Sequence, residues 1–177
     1  METITKNIPA LALRGLTVFP RMTASFDVER EISVRALERA METGQEIFLV
    51  TQRELGVELP EEKDLYEVGT VARVIQILRA SNSMMRVVME GGSRARLRRL
   101  WQREPFLQAQ VELIGEEKSP RHGTRTEAML RQTYALFGEY SELLPKQPES
   151  IFTTVMDATD PGFLADFIAQ NSNLRYQ

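Results

Sequence analysis

Tyr66-Glu67-Val68-Gly69-Thr70-Val71-Ala72-Arg73-Val74 and Glu90-Gly91-Gly92-Ser93-Arg94-Ala95-Arg96-Leu97 are the two stretches whose reading decides the fold. Between them lies a short polar tip, Ser81-Asn82-Ser83. The whole reads as strand, turn, strand, glycine turn, strand. Gly91-Gly92 predicts a hairpin, because glycine accepts positive φ without steric penalty. A meander of this kind carries no catalytic equipment. It points to a protein that holds other proteins rather than one that transforms them.

Working outward, Ile8 to Leu13 is a short apolar run broken by Pro9, expected as a first strand near a sheet edge. Met22, Ala24, Phe26 and Val28 alternate with Thr23, Ser25 and Asp27, the period of a half-buried strand. A helix follows, with Ser33 as its expected cap, Val34, Leu37 and Met41 on its apolar face, and Gly44 at its end. Glu46 to Gln52 is the next strand, and Leu59 to Asp64 a polar loop. Gly69–Leu78, Met84–Glu90, Ser93–Trp101 and Leu107–Ile114 supply four more strands at meander spacing. Seven strands and one helix make a compact, mostly β module over residues 1–114.

Residues 115–123 are polar, contain Pro120 and read as a linker. Thr124 and Glu127 fit a capping box. Met129, Thr133, Leu136, Phe137, Tyr140 and Leu144 then follow at helical spacing until Pro145. Pro148 and Pro161 suit first helical positions of two shorter helices, which carry Ile151, Phe152, Val155 and Met156, then Phe163, Leu164, Phe167 and Ile168. The fold class expected is therefore α+β, with a helical extension over 124–177. That extension holds more large apolar residues than a small β module can cover. It is expected to be cut short, part of a longer chain, or to need a partner chain.

Composition bounds the function. The 177 residues carry a formal net charge of −3, no cysteine and one histidine. Bulk attraction to nucleic acid or an anionic membrane is not indicated, and thiol chemistry and disulfides are excluded. No apolar run has the length of a membrane span, and no signal peptide is evident, so cytoplasmic residence is expected. His122 sits in the linker beside Arg121 without an orienting acid, which reads as a surface histidine. Glu61-Glu62 and Glu116-Glu117 fall in polar loops, and Asp27 and Glu29 on an outward strand face. None has an environment suited to acid–base work. No catalytic or metal-binding residue is therefore expected. No G-x-x-x-x-G-K-[ST] loop is present to cradle a nucleotide.

Several runs match a known family. Ile8-Pro9-Ala10-Leu11-Ala12-Leu13-Arg14 with Val18-Phe19-Pro20-Arg21-Met22 resembles the opening of the N-terminal domain of Lon, the ATP-dependent protease. Arg30 to Leu37, Tyr66 to Val74, Glu90 to Arg96, and Asp160 to Asp166 are similar to later motifs of that domain, in the same order. Two positions depart from the family pattern: Ser25 to Arg30 stands where Pro-Leu-x-Val-Gly-Arg is usual, and Leu11 to Gly15 where Leu-Pro-Leu-Arg-Asp is usual. The resemblance implies small β-sheets around one helix, related to PUA-like barrels, with a helical extension. It also implies an ATPase module and a serine–lysine peptidase module elsewhere in a full-length enzyme, and hence ATP and Mg there but no cofactor in this chain. The partners implied are unfolded or damaged protein substrates and further subunits of a homo-hexamer; from the charge balance, no membrane and no nucleic-acid partner is expected for this fragment.

Two sets of residues are candidates for binding. Phe19, Pro20 and Met22 form an early loop, and Met84 and Met85 follow the polar tip. Methionine is flexible and polarizable, so it suits a surface that accepts many apolar sequences. The alternative is a stand-alone PUA-like RNA- or protein-binding module. Its site would be the basic stripe Arg94, Arg96 and Arg98, which share one strand face, with Trp101 expected on the other face.

Overall fold

The computed structural model describes residues 4–79, 84–115, 123–143 and 148–172. The chain divides into two compact units, Met1–Glu116 and Glu117–Gln177. The first holds strands β1 (Thr5–Leu13), β2 (Thr23–Val28), β3 (Glu46–Thr51), β4 (Val68–Arg79), β5 (Met85–Gln102) and β6 (Gln108–Leu113), with helix α1 (Glu31–Glu42). The second holds α2 (Thr124–Leu143), α3 (Glu149–Asp157) and α4 (Pro161–Asn171). The class is α+β.

The strand order is β2-β5-β4-β3-β1-β6, and an additional β5–β6 pairing closes five strands into a ring. Among the described strands only the β1–β3 pair is parallel. β1 is thus an interior strand, flanked by β3 and β6, and not the edge strand the sequence suggests. Pro9 is accommodated because β3 pairs with β1 only from Ala10 onward, leaving the proline without a ladder bond to donate on that side.

β1 and β3 are buried on both faces, which explains their unbroken apolar runs. Leu11, Leu13, Ile47 and Leu49 face one core with Ala36, Leu37 and Ala40 of α1. Ala10, Ala12, Phe48 and Val50 face the other, inside the ring, with Leu97, Ala109 and Val111. The α1 face differs from expectation. Ser33 is a buried residue inside the helix, Arg30 is its N-cap without a side-chain cap bond, and Met41 is exposed. The alanines let α1 approach the sheet closely, and this places the buried stripe at 33, 36, 37 and 40. Gly44 ends the helix at φ +104, as expected.

The largest correction concerns Gly91-Gly92. No hairpin forms there: β5 runs through it as one strand of 18 residues, so the described residues of the first unit hold six strands. Neither glycine lies in the left-handed region. They are needed for close approach instead. A Cβ on Gly91 would lie 2.1 Å from the Phe19 carbonyl oxygen, and one on Gly92 2.7 Å from that of Val71. The register shift between Thr70 and Ala72 places one β4 residue against two on β5, a bulge. Either side of that point β5 changes neighbour, from β2 along Met85–Glu90 to β6 along Ala95–Gln102.

In the second unit Phe137, Val155, Ala158 and Leu164 form the core, with Leu130, Tyr134, Ile151 and Phe167 packed on it. The Tyr134 hydroxyl donates to the Ala158 carbonyl at 2.5 Å. Asp160 caps α4 by accepting from the Gly162 and Phe163 amides at 3.2 Å, with Pro161 at the first position as expected. The α2 start is displaced by one residue: the Gly123 carbonyl accepts from the Thr126 and Glu127 amides, so Thr124 is already helical. Pro148 is the N-cap of α3 rather than its first residue. Met129 and Leu136, expected on the buried face of α2, are exposed. Leu144 and Pro145 lie outside the described residues.

Candidate functional site

The connection from β1 to β2 is a strap held by one hook from each strand it passes. On β3, the Thr51 hydroxyl donates to the Leu16 carbonyl at 2.8 Å and meets the Thr17 hydroxyl at 2.7 Å. On β4, the buried Thr70 hydroxyl donates to the Val18 carbonyl at 2.7 Å. On β5, Gly91 accepts from the Arg21 amide at 2.7 Å and donates to the Met22 carbonyl at 2.8 Å. Arg21 takes positive φ, 63°, to make this turn. Within it Pro20 and Met22 are buried and Phe19 is half-buried, so this part of the candidate site offers little free apolar surface.

Met84 and Met85 lie elsewhere. Thr23 pairs with Glu90 and Val28 with Met85, so Met22 and Met85 stand at opposite ends of the β2–β5 ladder. Six steps along the strand separate them by about 20 Å. Met85 is 6% exposed and packs in the α1 core, while Met84 is half-buried. The two halves of the candidate site are therefore two places.

Beside Met84 the structure shows apolar residues that the sequence reading missed. β3 covers β4 only from Thr70 to Arg73, and beyond this β4 pairs with β5 alone among the described strands. This open arm exposes Ile75 (54%) and Leu78 (50%). The outward row through Leu78 contains Arg86 and Asp27, its cross-strand neighbours. Arg86 grips Asp27 with two bonds of 2.8 and 2.9 Å, and these bonds hold the Asp27 carboxyl below its ordinary value. A second register shift between Val74 and Gln76 leaves Ile75 as an extra, unpaired residue next to the buried Val74. The sequence signal that could have found the arm is plain hydrophobicity: Ile75, Ile77 and Leu78 are more apolar residues than one buried face requires.

The basic stripe is largely engaged. Arg96 meets Glu67 at 3.3 Å, Arg98 is ion-paired and hydrogen-bonded to Glu112, and Arg94 is likewise not a free cation. Trp101 is not on the opposite face. Register shifts between Leu97 and Arg99, and between Leu100 and Gln102, break the alternation and leave Trp101 47% exposed beyond the inward Leu100. Glu61 and Glu62 are also structural: Glu61 caps the 3-10 turn Glu62–Asp64, and the Glu62 carboxylate accepts the Leu100 amide at 3.0 Å. His122 and Glu116-Glu117 lie outside the described residues. Among the described residues no group of three or more His, Asp or Glu could hold a metal ion, and no helix is long and apolar enough to cross a membrane.

With this geometry in place, similarity to known proteins is informative. Residues 7–177 match the sequence model of the family described as the ATP-dependent protease La (LON) substrate-binding domain. The Lon protease of Brevibacillus choshinensis is 39% identical over 170 residues, which cover 96% of this chain and 22% of that protein. Lon protease 1 of Bacillus subtilis strain 168 is 34% identical over 174 residues, covering 98% and 22%. The chain thus spans 22% of the length of these relatives. Among solved structures, the N-terminal domain of Mycobacterium avium complex Lon protease superposes with a TM-score of 0.70 at 19% identity, covering 96% of this chain and 84% of that one. The Lon N-terminal domain protein from Xanthomonas campestris gives 0.57 at 14% identity, covering 93% and 97%. At such identities the likeness shows the fold.

Proposed function

The chain belongs to the family of Lon substrate-binding domains, and from that premise we propose that it captures exposed apolar stretches of unfolded or damaged proteins for an ATP-dependent protease. The observation that carries this reading is the family match over residues 7–177, whose description is substrate binding. ATP hydrolysis with Mg and peptide cleavage then belong to other modules of such a protease. This chain is the recognition and assembly part, working in the cytoplasm. Several copies in a ring, six in a homo-hexamer, make weak individual contacts effective, because linking sites raises the effective concentration of the second encounter.

Of the residues in question, the open arm fits capture best. An unfolded client presents apolar side chains without fixed shape, and Ile75, Leu78 and Met84 offer apolar contact that costs the fold little to expose. Phe19 adds a second, smaller contact at the strap. Met85 is supporting structure: an aspartate there would bury an unpaired charge and damage the fold before it reported on binding.

Fluorescence anisotropy of the 177-residue chain against one labelled protein, in its permanently unfolded and its folded form, tests the reading. Preference for the unfolded form is expected, and loss of that preference in Leu78→Ser/Met84→Ser with circular dichroism unchanged. Equal binding of both forms, or no change in the double variant, contradicts it.

A further inference from the structure

A cleft of about 660 Å³ opens at the start of α1, between that helix and the loops carrying Leu59 and Pro105. Its apolar surface comes from Ile32, which also packs against the ring core, and from the exposed Leu59 and Pro105. The walls are fixed from behind. Arg103 donates to the Leu59 carbonyl at 3.1 Å, tying one loop to the segment that leads into the other. Arg30 donates to Gln52 Oε1 at 2.9 Å, to the Glu58 carbonyl at 3.3 Å and to the Ala12 carbonyl.

Two cations and three carboxylates line the cleft. Arg30 keeps its charge, but it is half-buried and its guanidinium is turned to those three acceptors. Arg35 is paired with Glu31 at 2.5 Å, and Glu58 with Arg14 at 3.1 Å. Glu104 is left exposed next to Pro105, and among the described residues it has no ion-pair partner. An apolar floor with an exposed, unpaired carboxylate at its rim complements an apolar side chain adjacent to a cation. A rim charge of this kind acts on selectivity more than on gross affinity.

We propose that this cleft is a second client contact, selecting extended polypeptide segments in which a bulky apolar residue adjoins Lys or Arg. The proposal rests on the capture reading above and gives it a sequence preference. It also separates two tasks: the open arm takes apolar surface of any kind, and the cleft weighs the charge beside it.

The test uses the 177-residue chain and two labelled peptides that differ only in Lys or Glu beside a phenylalanine, with a labelled unfolded protein as a separate probe. The lysine peptide is expected to bind wild type about 5-fold more tightly at low salt, the range of a single exposed charge contact. Glu104→Lys should reverse the order, and Leu59→Ser should weaken both peptides while leaving the fold intact, since neither side chain is buried. Equal binding of the two peptides to wild type, loss of both peptide signals, or an unchanged preference in folded Glu104→Lys overturns the proposal. Unfolded-protein binding without peptide discrimination sinks the cleft alone. Peptide discrimination without unfolded-protein binding supports the cleft and sinks the capture reading.

Discussion

The two halves of β5 make opposite use of the same strand. Along Ala95–Gln102 it pairs with β6, and with β4 as far as Arg96, which closes the ring and buries Ala95 and Leu97 with Phe48 and Val111. Along Met85–Glu90 it is flanked by β2 and by the part of β4 that β3 no longer covers, and the sheet stays open. Closure removes edges and leaves one rigid core, whereas the open half keeps apolar residues in solvent. The difference teaches how a small β module divides stability from recognition: the ring can be spent on folding because the arm is left for contact.

The largest effects should come from breaking the junction or the ring. In Gly91→Ala the new methyl would press on the Phe19 carbonyl, which is backbone and cannot rotate away. A loss of about 3 kcal/mol or more is expected, read as a lower urea midpoint. Phe48→Ala should cost about 3–5 kcal/mol by the same measurement, since the ring is fully buried in the closed half. A Phe48→Ala variant as stable as wild type would show that the ring is not where stability resides.

An intermediate effect separates the two halves cleanly. Leu78→Ser should change stability by no more than about 0.5 kcal/mol, as an exposed position does, while client affinity falls several-fold. A stability loss as large as that of Phe48→Ala would erase the distinction between arm and ring.

The smallest effect concerns the Asp27–Arg86 pair on the arm. Its hydrogen bonds to Arg86 depress the Asp27 carboxyl, so the unfolded chain takes up the proton first as pH falls. The stability this pair lends is present above the ordinary aspartate value near about 4 and is lost as pH drops through the lower folded value. Asp27→Asn should therefore be slightly less stable than wild type at pH 7, with the gap closing in acid. A gap that widens in acid would reverse the assigned sign. Both groups are solvent-exposed, which keeps the effect small.

Much of the fold was legible from residue pattern. The alternation of Ala24, Phe26 and Val28, the apolar run Ile47 to Val50, and Asp160-Pro161 at the start of α4 each reflect a local rule with one outcome. The misses share a cause: each was decided by something far off in sequence. Gly91-Gly92 resembles a hairpin until Phe19 and Val71 are seen to need the space. Ser33 looks like a cap until the close seat of α1 on β1 and β3 buries it. Trp101 was misplaced because bulges shift the parity of a strand, and a bulge is set by the partner strand. The candidate site suffered most. Methionine content suggested Met84 and Met85 together, yet alternation sends one of them into the core, and the exposed apolar neighbours come from β4.

The most direct test of the central claim is an NMR titration of the methyl-labelled 177-residue chain with a permanently unfolded protein. The account predicts chemical-shift changes at the Ile75, Leu78 and Met84 methyls, with the Val111 methyls inside the ring unmoved. Changes centred on the ring, or an arm that stays silent while the client binds, would contradict it.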